Sequence, residues 1–183
     1  MSRPDLHSGA FKRMQRSSLQ IATAVAFLCL PSLMTAQATP PAQVNFMGAA
    51  NSPISSSVAI PAGAAWVWTS GTVPTPADPN AAAGTRARYG DTKTQAVSTI
   101  KAIEARLKER GLTLKDVVYL RAYLVTDKEK GIVDFAGWNE AYGMYFNTAD
   151  NPTKVARSTV AVTALVSPEW LIEIEAFAVY PKP

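Results

Sequence analysis

The chain holds a single cysteine and a single histidine in 183 residues, Cys29 and His7, and both fall before residue 39. Beyond that point neither residue occurs. A Ser-His-Asp or Cys-His arrangement therefore lacks its base or its nucleophile, and a zinc site of the usual kind lacks its nitrogen and sulfur ligands. No Gly-rich phosphate loop is present, and the scattered carboxylates do not form a calcium loop. Disulfides contribute nothing to stability. Any chemistry must rest on arginine, carboxylates, hydroxyls and backbone groups.

The first 38 residues read as a secretory signal: Arg3, Lys12, Arg13 and Arg16 form a basic region, Ile21 to Leu33 is apolar, and Ala36-Gln37-Ala38 has the small-x-small cleavage pattern. Pro31 interrupts the apolar run, which is shorter than the ~20 residues of a transmembrane helix, so a retained anchor is the weaker reading. Met14 is an alternative start that would shorten a long basic region. Cys29 lacks the small residues that precede a lipoprotein cysteine. The expected location is periplasmic or secreted, with no membrane association once the signal is cleaved.

The leader carries four of the 18 Lys and Arg and one of the 14 Asp and Glu, which leaves +1 for the remainder against +4 for the whole. The basic excess thus belongs to targeting. A near-neutral domain, without lysines and arginines interleaved with aromatics, gives no support to nucleic-acid binding.

Residues 39 to 53 are polar and Pro/Ala-rich, with Val44, Phe46 and Met47 as their apolar anchors, and are expected to be flexible or draped on the surface. One domain of ordinary size follows, residues 54 to 183. Val58 to Ile60 and Trp66 to Thr69 flank Pro61-Ala62-Gly63 and suggest a hairpin, with Ser70-Gly71 closing its second strand. Pro74 to Gly84 has no periodicity and is a loop, with Arg86 and Arg88 on its solvated flank. Asp91 is a helix cap; Ala96, Val97, Ile100, Ile103 and Leu107 recur at helical spacing until Gly111. Val117 to Val125 is a strand. A second helix spans Val133 to Phe146 with Phe135, Trp138, Tyr142 and Tyr145 near one stripe, and Asn147 to Pro152 breaks it.

Two last strands, Ser158 to Thr163 and Leu171 to Tyr180, are separated by a turn at Ser167-Pro168-Glu169. In the final strand Ile172, Ile174, Ala176 and Ala178 share one face, while Glu173, Glu175, Phe177 and Val179 share the other. The order of elements predicts an α/β fold of mixed sheet with two helices on one face. The opposite face keeps apolar side chains to bury beside two carboxylates, which an intersubunit cleft would satisfy.

Candidate chemistry gathers near the C-terminal end. Arg157 enters a strand and offers a fork suited to a carboxylate; the plainer alternative is an ion pair with Glu173 or Glu175 across the last hairpin. Ser70-Gly71 is ordinarily a strand end, Asn139 a helix surface residue, and Arg121 an ion-pair partner.

In family order, however, Thr69-Ser70-Gly71-Thr72-Val73-Pro74, the helix from Asp91 with Gln95, Gly111-Leu112 with Asp116-Val117-Val118, Asn139-x-x-Tyr142, Ala156-Arg157-Ser158 and Ile172-Glu173-Ile174-Glu175-Ala176 cover Ile54 to Tyr180. This ordered set resembles the Rid family, the reactive-intermediate (enamine/imine) deaminases also called YjgF-type proteins.

The resemblance implies a chorismate-mutase-like subunit that forms a homotrimer with clefts between subunits. It implies that Arg157 binds the carboxylate of a 2-imino acid and that Glu173 holds or activates the hydrolytic water. Ser70, Gly71 and Asn139 would line the same pocket, and Thr159 is counted with them as substrate-binding. The products would be a 2-oxo acid and ammonia, with no metal or cofactor required. Three positions depart from the pattern: Ile54 follows Pro53 where tyrosine is frequent, Thr159 stands where cysteine is common, and the Pro74 to Tyr89 loop is long. Ile54, Thr159 and the exported location motivate an alternative, a noncatalytic trimer of the same fold that binds a small carboxylate. A ribonuclease role suits a near-neutral domain without histidine poorly.

Overall fold

The computed structural model describes residues 39–181; the signal-like segment 1–38 lies outside the described residues. The first long element is helix α2, Thr92–Lys108, preceded by the single turn α1, Arg86–Tyr89. The Asp91 carboxylate accepts from the Thr94 amide at 2.9 Å and so caps the start of α2. Gly111, at φ 73°, ends it: the amides of Gly111 and Leu112 turn back to the carbonyls of Lys108 and Leu107. Between these limits Ala96, Ile100, Ile103 and Leu107 are buried along one stripe.

Thr113 and Asp116 then form a reciprocal capping box around a short 3-10 turn, which delivers the chain into strand β4, Val117–Leu124. Helix α3 follows, Phe135–Gly143, shorter than the expected span because Asp134 caps its start and positive-φ Asn147 lies in the turn beyond it. It carries the chain to strand β5, Ala156–Ala161, and the last strand is β6, Ile172–Val179.

Three strands precede the helices: β1, Asn45–Met47, β2, Ser57–Ala59, and β3, Trp66–Trp68. The main sheet has the order β3-β6-β4-β5. All its pairs are antiparallel except β4 with β5, which run parallel because α3 carries the chain back along the sheet.

Two pairings differ from the sequence expectation. β2 and β3 do not form a hairpin. β2 pairs with β1 in a separate ribbon, and β3 joins the long edge of β6, where Trp66 and Trp68 gain contacts with Phe177 at centroid distances of 5.0 and 6.2 Å. Nor are β5 and β6 neighbours, since β4 lies between them. The segment 39–53, expected to be flexible or draped, thus contributes a surface strand whose Phe46 is partly buried.

The sheet has one dry face. Leu120, Ala122, Leu124, Ile172, Ile174 and Ala176 are almost wholly buried and join the α2 and α3 side chains in a single core. Register places Tyr119, Arg121, Tyr123, Glu173, Glu175 and Phe177 on the other face. Trp66 and Trp68 share that face and remain 56% and 55% exposed.

The long loop is not simply solvated. Arg86 donates to the wholly buried Asp127 at 2.7 Å, and Arg88 donates to the carbonyls of Pro79 and Ala81, each at 2.8 Å. Both arginines therefore fasten the loop. Desolvation works against the charges of both Arg86 and Asp127, but their mutual bond wins, raising the arginine and lowering the aspartate from their ordinary values.

Candidate active site

Arg157 stands on β5 opposite Leu120, which puts its side chain on the helix-covered face. Parallel pairing with β4 fixes the backbone, and α3 supplies the surroundings. Trp138 and Tyr142, four residues apart on α3, lie on one side of the helix and meet edge to face at 6.0 Å. The guanidinium carbon sits 4.5 Å from the Tyr142 centroid and 5.3 Å from that of Trp138. Stacking of this kind contributes about 1–2 kcal/mol when partly desolvated.

Hydrogen bonds complete the cluster. One terminal nitrogen of Arg157 donates to the side-chain amide oxygen of Asn139, the Trp138 indole N–H donates to Thr159 Oγ1 at 3.0 Å, and the Tyr142 hydroxyl donates to the Pro53 backbone carbonyl at 3.2 Å. The second terminal nitrogen, Nη1, is buried and meets no acceptor among the described residues. Desolvation pulls the Arg157 guanidinium below its ordinary value, partly offset by Tyr142, while burial raises Tyr142. The guanidinium as a whole is only partly buried, and a partly desolvated cation held in this way is suited to a small carboxylate at its accessible edge, because charge-assisted hydrogen bonds strengthen where water is excluded.

Glu173 belongs to a different group. Beyond β3 the chain continues beside β6 as far as Thr72, whose amide and carbonyl exchange hydrogen bonds with Ile174 at 2.8 and 2.9 Å. This bridge lays Gly71 directly against Glu173: a Cβ on Gly71 would lie 1.7 Å from Oε1. Glycine there is what leaves space for the carboxylate. Ser70 is exposed beside it.

The expected ion pair between Arg157 and Glu173 or Glu175 is not made. Strand β4 separates β5 from β6, and the pleat turns Arg157 and the two glutamates to opposite faces. Glu175 instead faces Arg121 at 3.5 Å and accepts from the Tyr123 hydroxyl at 3.4 Å. The single chain thus brings together Arg157, Asn139 and Thr159 in one cluster and Gly71 and Glu173, with Ser70 next in sequence, in another. It does not join the two clusters.

A cavity of about 550 Å³ lies elsewhere, where Val44, Phe46, Lys115, Val118 and Tyr180 converge. Neither Arg157 nor Glu173 lines it, as expected if each cluster is only part of a wall. Among the described residues no three His, Cys, Asp or Glu side chains converge as metal ligands would. Sequence reasoning missed Trp138 and Tyr142 as parts of the site; their spacing on either side of Asn139 was the available signal.

Comparison with known proteins gives these clusters a family setting. The sequence profile described as endoribonuclease L-PSP matches residues 49–180. The chain belongs to the Rid family. RutC family proteins of Pyrococcus abyssi and Pyrococcus horikoshii are 42% and 39% identical to it, each over 89 residues that make up 49% of this chain. Those matches span 62% and 63% of the relatives' own lengths, so about two fifths of each relative lies outside them.

Solved structures agree on the fold. The Rid protein YyfB of Yersinia pestis, a protein of unknown function, superposes with a TM-score of 0.57 at 24% identity, covering 75% of this chain and 99% of that one. TdcF of E. coli, solved with bound serine, gives 0.50 at 27% identity, covering 66% and 84%. The mixed sheet with its helices on one face is thus the YjgF-like fold. Rid membership is consistent with imine deamination or with small-molecule binding.

Proposed function

We propose that this Rid protein hydrolyses 2-imino acids and their enamine tautomers to 2-oxo acids and ammonia, in clefts between copies of a homotrimer. The observation that carries this reading is the Arg157 guanidinium: stacked on two buried rings, tied at one end to Asn139, and still partly exposed. A substrate carboxylate would pair with its accessible edge. Serine bound to TdcF, itself a small amino acid, supports a pocket of this size class.

The reaction needs little from the protein beyond orientation and proton transfer. Water adds to the electrophilic imine carbon as Glu173 accepts one of its protons and the imine nitrogen gains one; the resulting carbinolamine then gives up its hydroxyl proton while its nitrogen takes one up, so that the carbonyl forms, the C–N bond breaks and ammonia leaves. No covalent nucleophile takes part. Because Arg157 and Glu173 face opposite ways on one sheet, the complete site draws Arg157, Asn139 and Thr159 from one copy and Ser70, Gly71 and Glu173 from its neighbour. The open face with Trp66, Trp68 and Phe177 provides apolar surface for that association.

Purified protein supplied with 2-iminobutanoate generated in situ tests the activity. Faster hydrolysis than in buffer is expected, with Arg157→Ala and Glu173→Gln each losing it. Hydrolysis by Arg157→Ala at the wild-type rate would overturn the assignment. The second reading, a noncatalytic carboxylate binder, is favoured by Ile54 and Thr159, which remove a hydroxyl and a thiol from the expected pocket. Calorimetric binding of 2-oxobutanoate without accelerated hydrolysis would establish it. Export to the periplasm belongs to the proposal, and cell fractionation tests it.

A further inference from the structure

Thr159 holds an unusual place in the Arg157 cluster. It lies two residues beyond Arg157 on β5 and shares its face. Its hydroxyl accepts the indole N–H of Trp138 at 3.0 Å. Trp138 is wholly buried, so this N–H cannot turn to water, and an orphaned buried donor is costly. The bond fixes the indole about its own axis. That ring in turn meets Tyr142 edge to face, and the guanidinium lies over both.

We infer that Thr159 is a positioning residue: its hydroxyl locks Trp138, the locked ring sets the guanidinium plane, and that plane sets where the accessible edge of Arg157 points. Thr159 need not touch the ligand. This goes beyond its expected role as a pocket contact. The identity of the ligand rests on the function proposed above, whereas the network itself does not.

The residue types obey this logic. Valine matches threonine in shape but offers no acceptor, and cysteine offers only a weak one. Serine keeps the acceptor. Phenylalanine at position 138 removes the donor, and with it the need for any acceptor at 159.

The test is a double-mutant cycle in the full chain with Thr159→Val, Thr159→Ser, Trp138→Phe and the Trp138→Phe/Thr159→Val double variant. The first readout needs no ligand: the Arg157 Nε–Hε cross-peak in nitrogen-15 spectra, identified by its loss in Arg157→Lys. The second is calorimetric affinity for 2-oxobutanoate, with KM and kcat for 2-iminobutanoate. Thr159→Val should shift or broaden the cross-peak, weaken 2-oxobutanoate about tenfold and raise KM with kcat held within about twofold, since uniform binding is what is lost. Thr159→Ser should restore the peak and most of the affinity. In the Trp138→Phe background, Thr159→Val should add no more than about a twofold change.

An unchanged cross-peak in Thr159→Val would overturn the inference. So would an undiminished Thr159→Val penalty in the Trp138→Phe background, because the hydroxyl would then act on the ligand directly. If Thr159→Val fails to fold, the double variant, which has no orphan donor, is compared with Trp138→Phe. If wild type neither binds 2-oxobutanoate nor hydrolyses the imine, the proposed function fails while the cross-peak still decides the role of Thr159.

Discussion

Adding a single methyl group at Gly71 should separate activity from stability. A Cβ there falls 1.7 Å from Oε1 of Glu173, 2.7 Å from Cδ and 3.2 Å from Cγ, and these are the atoms it meets most closely. In Gly71→Ala the carboxylate must therefore swing aside. The obstacle is the end of a flexible side chain, and Gly71 is not among the positive-φ glycines, so the backbone tolerates alanine. The cost to the fold is that of a displaced rotamer, about 0.5–1.5 kcal/mol, or a few degrees in Tm. The cost to catalysis is much larger, because a general base moved by more than an ångström forfeits most of a contribution of about 10²–10⁴-fold. Ammonia release from 2-iminobutanoate and a circular-dichroism melt, run on the same preparation, measure the two effects. We expect kcat to fall at least ~100-fold, close to Glu173→Gln, while 2-oxobutanoate affinity stays within a few-fold of wild type because Arg157 is on the other sheet face. Wild-type kcat in Gly71→Ala would refute the placement of Glu173 at the water.

Three further outcomes follow from the same geometry. Arg157→Ala and Glu173→Gln, each inactive alone, should regain on the order of one quarter of wild-type activity when their chains are mixed before assembly, because that fraction of clefts receives both intact residues; a mixture as dead as its components would place both groups in one chain's site. Asp127→Asn should lower stability by roughly 2–4 kcal/mol in a denaturant titration, since it breaks a buried pair with a partly exposed arginine. The Asp127 carboxylate is held below its ordinary value near 3.8, so its stabilisation is complete above that pH and is lost as pH falls through the lower folded value; acid melts of wild type and Asp127→Asn should converge there.

The parts of the fold legible in the sequence are those set by local chemistry. Helix α2 announces itself through Asp91, Gly111 and the apolar recurrence between them, and β6 through strict alternation from Ile172 to Val179. Pairing partners are another matter. The residues between β2 and β3 look like a turn, but only the distant Phe177 explains why Trp66 and Trp68 join β6. Arg86 gave no sign of Asp127, which lies far along the chain and is buried by contacts of its own.

The candidate site divides in the same way. Arg157, Asn139, Gly71 and Glu173 could be picked out by motif, and two clusters did form around them. Their opposition across the sheet could not be read, because it depends on β4 intervening between β5 and β6. Trp138 and Tyr142 passed as a core stripe, which they also are; their contact with Arg157 required the parallel pairing of β5 to be known.

The uncovered sheet face carries a spectroscopic consequence. Trp66 and Trp68 are the wet indoles of the main sheet, while Trp138 is sealed in the core. Two of the emitters therefore sit on the surface that would be covered if copies of the chain meet there. Dilution of such an assembly should move the emission toward the red as those two rings regain water, and Trp138 should stay blue throughout. The protein carries its own optical gauge of whether that face is occupied.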